Sequence, residues 1–266
     1  MRVIKHQGNL MIEGEAIEVM QKLIKKGIKV DTIIADLPYG TTTCAWDSVI
    51  PFEPMWDCIN ALLKEKGAIC LFGCEPFSSA LRMSNLKMYK YDWIWHKSSC
   101  SNFLIAAYQP RKTYEVISVF SNGAASYSKK GNNMPYYPQM GDKIHNYTKE
   151  YKDSDCRKAF SKKSKSTYKL VHKNVGRKYP EAIIYFSSDK NKIHATQKPI
   201  DLMTFLVKTY SKEGEVVLDF CAGSFSTCVA CLQSNRKFIG IEKDPEIFQK
   251  GIERLKEEFN ARARQN

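Results

Sequence analysis

A chain of 266 residues with 43% hydrophobic content can bury a full core as one catalytic domain and leaves length for an insertion. Its net charge of +13 and pI near 9.2 favour a polyanionic partner, nucleic acid or an anionic membrane surface. No apolar run approaches the roughly 18 residues of a membrane span, and the start Met1-Arg-Val-Ile-Lys-His6 lacks the apolar core of a secretion signal, so the charge is expected to face nucleic acid in the cytoplasm.

Apolar spacing predicts a short first strand at residues 10–12, a helix from 16 to 24 and a buried strand at 32–35. A turn region from 40 to 47 follows. Further on come a helix at 56–63, a strand at 68–72, a helix opened by Pro76, and strands at 91–95 and 115–120. At residue 121 the composition changes. Between residues 129 and 178 the chain carries 14 Lys and Arg against 4 Asp and Glu, interleaved with Tyr136, Tyr137, Tyr147, Tyr151, Phe160 and Tyr168. A solvated surface loop would carry such charge; the aromatic residues argue for a segment that orders at least on binding. A strand at 215–218, a tight turn, a helix-like stretch at 227–231 and a second strand at 238–241 complete the pattern. The tail 261–266 is expected to fray. The domain reading is therefore a catalytic half (1–120), a basic insertion (121–180) and a second half of the same domain (181–266).

The nine cysteines are odd in number and lie in apolar stretches, as reduced buried thiols do. Cys228 and Cys231 form a Cys-x-x-Cys pair, but positions three apart share a helix face, and Cys70 with Cys74 supplies no matching second pair. Core packing is expected there and no metal site. His96, His145 and His172 are expected at the surface or at phosphates.

The strand at 32–35 runs into Asp36-Leu37-Pro38-Tyr39. A strand-ending turn with a half-buried tyrosine would account for these residues. So would a particular chemistry. The exocyclic amino group of a nucleobase is a poor nucleophile, because its lone pair is delocalised into the ring. Methylating it requires acceptors that draw the nitrogen toward tetrahedral geometry and aim it at an electrophilic methyl. The Asp36 carboxylate and Leu37 carbonyl could be those acceptors, Pro38 the fixed turn and Tyr39 the stacking face. Downstream, the apolar strand at 215–218 leads into Asp219-Phe-Cys-Ala222-Gly223-Ser224, a strand–turn–helix unit whose small residues let a backbone approach a ligand. Glu242 ends the next strand about 20 residues beyond the glycine turn, the separation at which a carboxylate reaches ribose hydroxyls in dinucleotide folds.

These motifs resemble those of the DNA amino-methyltransferases, of N6-adenine and N4-cytosine type, that use S-adenosylmethionine. The stretch His194-Ala-Thr196-Gln-Lys198-Pro199 is similar to the family's segment ahead of the cofactor strand. The stretches at 67–73, 91–97 and 136–139 also look like family segments, so the resemblance spans nearly the whole chain. It implies an α/β fold: a Rossmann-like methyltransferase sheet with circularly permuted motif order, the catalytic motif preceding the cofactor motif, as in the beta group. It assigns catalysis to Asp36, Leu37, Pro38 and Tyr39, and S-adenosylmethionine binding to His194, Thr196, Lys198, Asp219, Ala222, Gly223, Ser224 and Glu242. The basic insertion becomes a target-recognition segment, with Lys162, Lys163, Lys165, Arg177 and Lys178 on DNA. The substrate is duplex DNA with the target base flipped out. The acidic first residue of the tetrapeptide resembles the adenine enzymes, whereas serine there is more typical of the N4-cytosine enzymes. An N4-cytosine DNA enzyme, an RNA methyltransferase and a catalytically impaired nucleic-acid-binding homologue are the alternatives. A homodimer and a restriction endonuclease partner are compatible with the resemblance.

Two departures stand out. Leu37 replaces a usual proline but keeps its carbonyl. Phe225 stands where the family's Gly-Ser-Gly turn has its second glycine; left-handed backbone there costs a non-glycine residue about 1–2 kcal/mol, and the ring is expected to add bulk beside the methionine end of the cofactor.

Overall fold

The structure, a computed structural model, describes residues 1–40, 47–98, 102–129, 131–141, 148–150, 171–173, 178–189 and 197–264. Two compact units divide the chain: residues 1–137 with 182–266, and residues 138–181.

The larger unit is built on nine strands: β1 (Arg2–His6), β2 (Asn9–Glu13), β3 (Val30–Asp36), β4 (Leu63–Gly73), β5 (Tyr89–His96), β6 (Tyr114–Phe120), β9 (Ile183–Tyr185), β10 (Val216–Asp219) and β11 (Lys237–Glu242). Their order across the sheet is β1-β2-β11-β10-β3-β4-β6-β5-β9. β2, β11, β10, β3 and β4 are parallel, whereas β6 runs antiparallel to both β4 and β5. The parallel strands read as near-continuous apolar runs because helices cover both faces. Alternation sorts their side chains: Ile34, Val217 and Phe238 enter one core, and Ile33, Leu218 and Ile239 the other.

Helices α1 (Ala16–Lys25), α2 (Phe52–Leu62) and α3 (Phe77–Ser84) cover the second of these faces, while α4 (Ile200–Tyr210), α5 (Ser226–Gln233) and α6 (Pro245–Ala263) cover the first. Their ends follow from local chemistry. The Glu15 carboxylate accepts from the Ile17 and Glu18 amides to start α1, and Asp244 does the same for Glu246 and Ile247 at α6, where Pro245 takes the first turn. Helices α4 and α6 and strands β1 and β9 were not foreseen from the sequence. α6 continues through Ala263, so residues 261–263 of the expected frayed tail are the last residues of this helix.

Residues 121–137, grouped by composition with the basic insertion, belong to the larger unit. Ala124 pairs with Asn133, Met134 is buried in the core and the Tyr137 amide donates to the Thr209 carbonyl. The smaller unit contains the antiparallel pair β7 (Thr148–Glu150) and β8 (Val171–Lys173). Among the described residues, no helix is long and apolar enough to cross a membrane.

Because α2 leaves β3 on one face and α5 leaves β10 on the other, the neighbouring strands β3 and β10 open a crevice at their carboxyl ends. In open α/β sheets that is where ligands bind.

Candidate active site

β3 ends at Asp36, and Pro38 two residues later has no amide hydrogen with which to extend the ladder. The Tyr39 hydroxyl turns back and donates to Asp36 Oδ1 at 2.6 Å. Asp36 Oδ2 lies 2.8 Å from Lys198 Nζ, which also lies 2.9 Å from Glu115 Oε2; the other Glu115 oxygen is 3.1 Å from Lys97 Nζ. Five polar groups from four parts of the chain thus form one line: Lys97, Glu115, Lys198, Asp36 and Tyr39.

Electrostatics explain the arrangement. Lys198 is only 8% exposed. Burial alone would drive its proton off, but Asp36 and Glu115 outweigh burial and hold its pKa above that of a free lysine. Burial pushes the Asp36 carboxyl upward; Lys198 opposes this and Glu115 adds to it, and the net direction is up. Glu115 is held below the usual range because two ammonium groups offset its burial. Burial and the Asp36 charge keep the Tyr39 phenol protonated well beyond its ordinary pKa.

Lys198 was expected on the cofactor. Its ammonium lies between two carboxylates on the cavity that also holds the Asp219–Ser224 turn, because a buried cation demands anionic partners. Glu115 and Lys97 were missed by sequence reasoning. The available signal was weak: a charged residue opening the apolar strand 115–120, and a lysine closing the stretch 91–97.

The second half of the site hangs from β10 and β11. Asp219 Oδ1 accepts from the Cys221 amide at 3.0 Å and Oδ2 from Thr227 Oγ1 at 2.5 Å, so the carboxylate ties the turn to the first turn of α5. Burial raises its pKa to about 7. Glu242 Oε2 accepts from the Gly223 amide at 2.7 Å and Oε1 from the Asp244 amide at 2.8 Å; burial also raises this carboxyl. The Ala222 amide donates to the Ile241 carbonyl, locking the turn to the neighbouring strand. Ser224 is held by Arg254, whose Nη1 lies 3.0 Å from the Ser224 carbonyl oxygen and 3.1 Å from Ser226 Oγ. Arg254 also pairs with Asp189 at 3.7 Å, and Asp189 receives Gln197 Nε2 at 2.8 Å, which links the Gln197-Lys198 segment to the same turn.

Phe225 has the left-handed backbone expected of its position, with φ 61° and ψ 28°. Its ring corrects the sequence expectation. The side chain is fully buried and points into the core, edge-on to Phe248 at 5.8 Å, and is not among the cavity-lining residues. Two glycines make the room: a Cβ on Gly240 would sit 2.7 Å from the ring and one on Gly251 only 2.3 Å from it.

Cys228 and Cys231 are buried in the core of the α5 face, and burial raises both thiols. His194 and Thr196 lie outside the described residues, as do Lys162, Lys163, Lys165 and Arg177. Lys178, in the smaller unit, is exposed and pairs with Glu181.

Asp36, Leu37, Pro38, Tyr39, Lys198, Asp219, Ala222, Gly223, Ser224 and Glu242 all line one cavity of about 740 Å³. Pockets of roughly 300–1,000 Å³ enclose nucleoside-sized ligands. Gly223 has φ +50° and open space where a Cβ would project, which leaves the turn free for close approach by a ligand. A cradle of backbone and small side chains, flanked by a buried acid at the end of the next strand, fits a nucleoside cofactor.

Comparison with known proteins agrees with this geometry. A family model described as DNA methylase, of N6/N4 type, matches residues 30–253. The DNA adenine methyltransferase YhdJ of Escherichia coli is 27% identical over 94% of this chain and 83% of its own length. The type II methyltransferase M.HpaI of Haemophilus parainfluenzae is 26% identical over 94% of the chain and 75% of its own. The solved complex of M1.HpyAVI with SAM superposes with a TM-score of 0.61 at 20% identity, covering 92% of this chain and 98% of that one. The cytosine-N4-specific PvuII DNA methyltransferase gives 0.60 at 12%, covering 96% and 93%. At such identities the two structures bear on the fold alone.

The fold and the paired motifs at the ends of β3 and β10 define a methyltransferase of the nucleic-acid type. The chain belongs to the N6/N4 DNA methylase family. It is a DNA methyltransferase whose cofactor is S-adenosylmethionine.

Proposed function

We propose that the protein methylates the N6 amino group of adenine in duplex DNA, with Asp36-Leu37-Pro38-Tyr39 at the target base and the Asp219–Ser224 turn with Glu242 at the cofactor. The observation that carries the reading is the placement of both motifs on one cavity at the crevice between β3 and β10. S-adenosylmethionine supplies an electrophilic sulfonium methyl when bound. Everything else falls to the chain. Tyr39 offers a ring face on which a flipped base can stack, and Pro38 fixes the turn that presents it. The Asp36 carboxylate and Leu37 carbonyl accept from the amino group and so localise its lone pair for in-line attack. Asp36 need not remove a proton first, because the nitrogen becomes acidic only as its new bond forms. Lys198 and Tyr39 hold the carboxylate in place, leaving acceptor capacity on both oxygens.

On the cofactor side, Glu242 is positioned for ribose hydroxyls and the turn backbone for the methionine end, with Asp219 fastening the turn from below. Adenine is favoured by the acidic first residue of the tetrapeptide and by YhdJ, named as an adenine enzyme, among the relatives. The basic segment 121–180 is assigned to target recognition, with Lys162, Lys163, Lys165, Arg177 and Lys178 supplying phosphate contacts.

Labelled S-adenosylmethionine, offered with duplex DNA, single-stranded DNA and RNA and followed by nucleoside mass spectrometry, tests this. The expected product is N6-methyldeoxyadenosine from duplex DNA. N4-methyldeoxycytidine would move the substrate to cytosine, label only in RNA would overturn the DNA reading, and no label in any polymer would leave a binding protein.

A further inference from the structure

The loop joining β5 to β6 overhangs the same edge of the sheet as Asp36, Asp219 and Glu242, because β5 is parallel to β4 and ends there. Its residues 102–112 form a self-bonded unit. The Asn102 side chain closes the base, with Nδ2 donating to the Pro110 carbonyl at 3.1 Å and Oδ1 accepting the Lys112 amide at 2.6 Å. Within it the Ile105 amide donates to the Asn102 carbonyl, and the Tyr108 and Gln109 amides to the Ile105 carbonyl.

What this small frame holds outward is apolar: Leu104 is 82% exposed, Tyr108 is 90% exposed, and Ile105 lies between them. Scattered exposed apolar residues are ordinary on any surface. Here they are gathered on one braced loop at the mouth of the cavity, for Lys97 and Lys112 line the same cavity as Asp36 and Tyr39. Residues 102–112 carry two cations, Arg111 and Lys112, and no carboxylate, so the loop complements a polyanion.

Bringing a base into the cavity leaves a hole in the duplex and two unstacked neighbours. Proteins that distort DNA commonly fill such gaps with apolar side chains. We propose that loop 102–112 enters duplex DNA at the target position and that Tyr108 and Leu104 occupy the space vacated by the flipped base. The inference rests on the proposed methylation of a flipped base in duplex DNA. Tyr108 supplies a flat face for the exposed neighbours, Leu104 fills beside it, and Arg111 meets the flanking phosphates. Neither Leu104 nor Tyr108 is among the residues that line the cavity with the cofactor turn, so their contribution falls on base extrusion and not on methyl-donor binding.

The test uses the full-length protein and a duplex carrying the site that it modifies, located by sequencing the methylated positions on enzyme-treated plasmid DNA. Two substrates are compared: the paired duplex, and the same duplex with an abasic residue opposite the target base, which removes the pairing to be broken. Y108A and L104A/Y108A are expected to lose at least tenfold in kcat/KM on the paired duplex and less than threefold on the abasic-partner duplex, with unchanged S-adenosylmethionine affinity. Y108F is expected to behave as the parent enzyme, since the ring and not the hydroxyl does the filling. A 2-aminopurine at the target position should brighten with the parent protein and stay dark with L104A/Y108A. Equal losses on both duplexes would mean that the loop merely grips the backbone, and no loss on either would mean that it stays outside the duplex; each overturns the proposal. If the parent protein methylates no DNA, the functional reading fails and this inference falls with it.

Discussion

Replacing Phe225 by glycine is the sharpest test of how the cofactor turn is built. The residue sits in left-handed backbone with a fully buried ring. Deleting a buried phenyl group costs about 3–5 kcal/mol, because Gly240 and Gly251 leave a void that their missing side chains cannot refill. Relief of the left-handed strain returns about 1–2 kcal/mol. The extra backbone freedom of glycine in the unfolded chain adds a further cost of about 0.5–1 kcal/mol. The net expectation is a loss of about 2–4 kcal/mol, which for a chain of this size lowers Tm by roughly 10 °C in thermal unfolding without ligand. Calorimetric titration should meanwhile find S-adenosylmethionine affinity within about threefold of the parent, because the ring does not line the cavity. The companion variant Gly251→Ala, whose Cβ would sit 2.3 Å from the ring, should destabilise the parent but be nearly neutral in the Phe225→Gly background. An F225G protein as stable as the parent, binding the cofactor more tightly, would refute the argument and show that the ring presses on the turn.

Asp36→Ala should lower single-turnover methyl transfer at least 100-fold while cofactor affinity stays within about threefold; near-normal turnover would remove Asp36 from catalysis. Glu115→Gln takes away a negative charge that raises the Asp36 carboxyl, so the acid limb of the single-turnover pH profile should move to lower pH, and an unmoved limb would show that the two do not communicate. Asp219, with its folded pKa raised to about 7, holds a proton that the unfolded chain has already released. Its contribution to stability is therefore lost as pH rises from the ordinary carboxylate range to about 7, and Asp219→Asn should flatten that fall in denaturant unfolding series. Neutralising Lys162, Lys163 and Lys165 should weaken DNA binding and reduce the slope of log K against log salt by roughly 0.9 for each phosphate no longer neutralised; an unchanged slope would make them bystanders.

The sequence by itself carried the parallel core and the site at its edge. Strands buried on both faces must be apolar runs, so β3, β10 and β11 stood out, and a strand's carboxyl end is where Asp36, Asp219 and Glu242 become meaningful. The left-handed backbone of Phe225 was also legible, since the turn demands it whatever residue is present. Only the tertiary structure decided where side chains go once the backbone is fixed. The Phe225 ring turns into the core because Gly240 on β11 and Gly251 on α6 vacate that space, and no local pattern links residues 225, 240 and 251. Lys198 joins Asp36 and Glu115, residues 162 and 83 positions earlier in the chain, because a buried ammonium seeks whatever carboxylates the sheet places beside it. The unit boundary follows spatial packing and not composition: Met134 is held in the larger unit by burial even though the charge pattern changes well before it. Local propensity and periodicity are properties of neighbours along the chain, whereas desolvation and packing are properties of neighbours in space, and the chemistry of this site depends on the second kind.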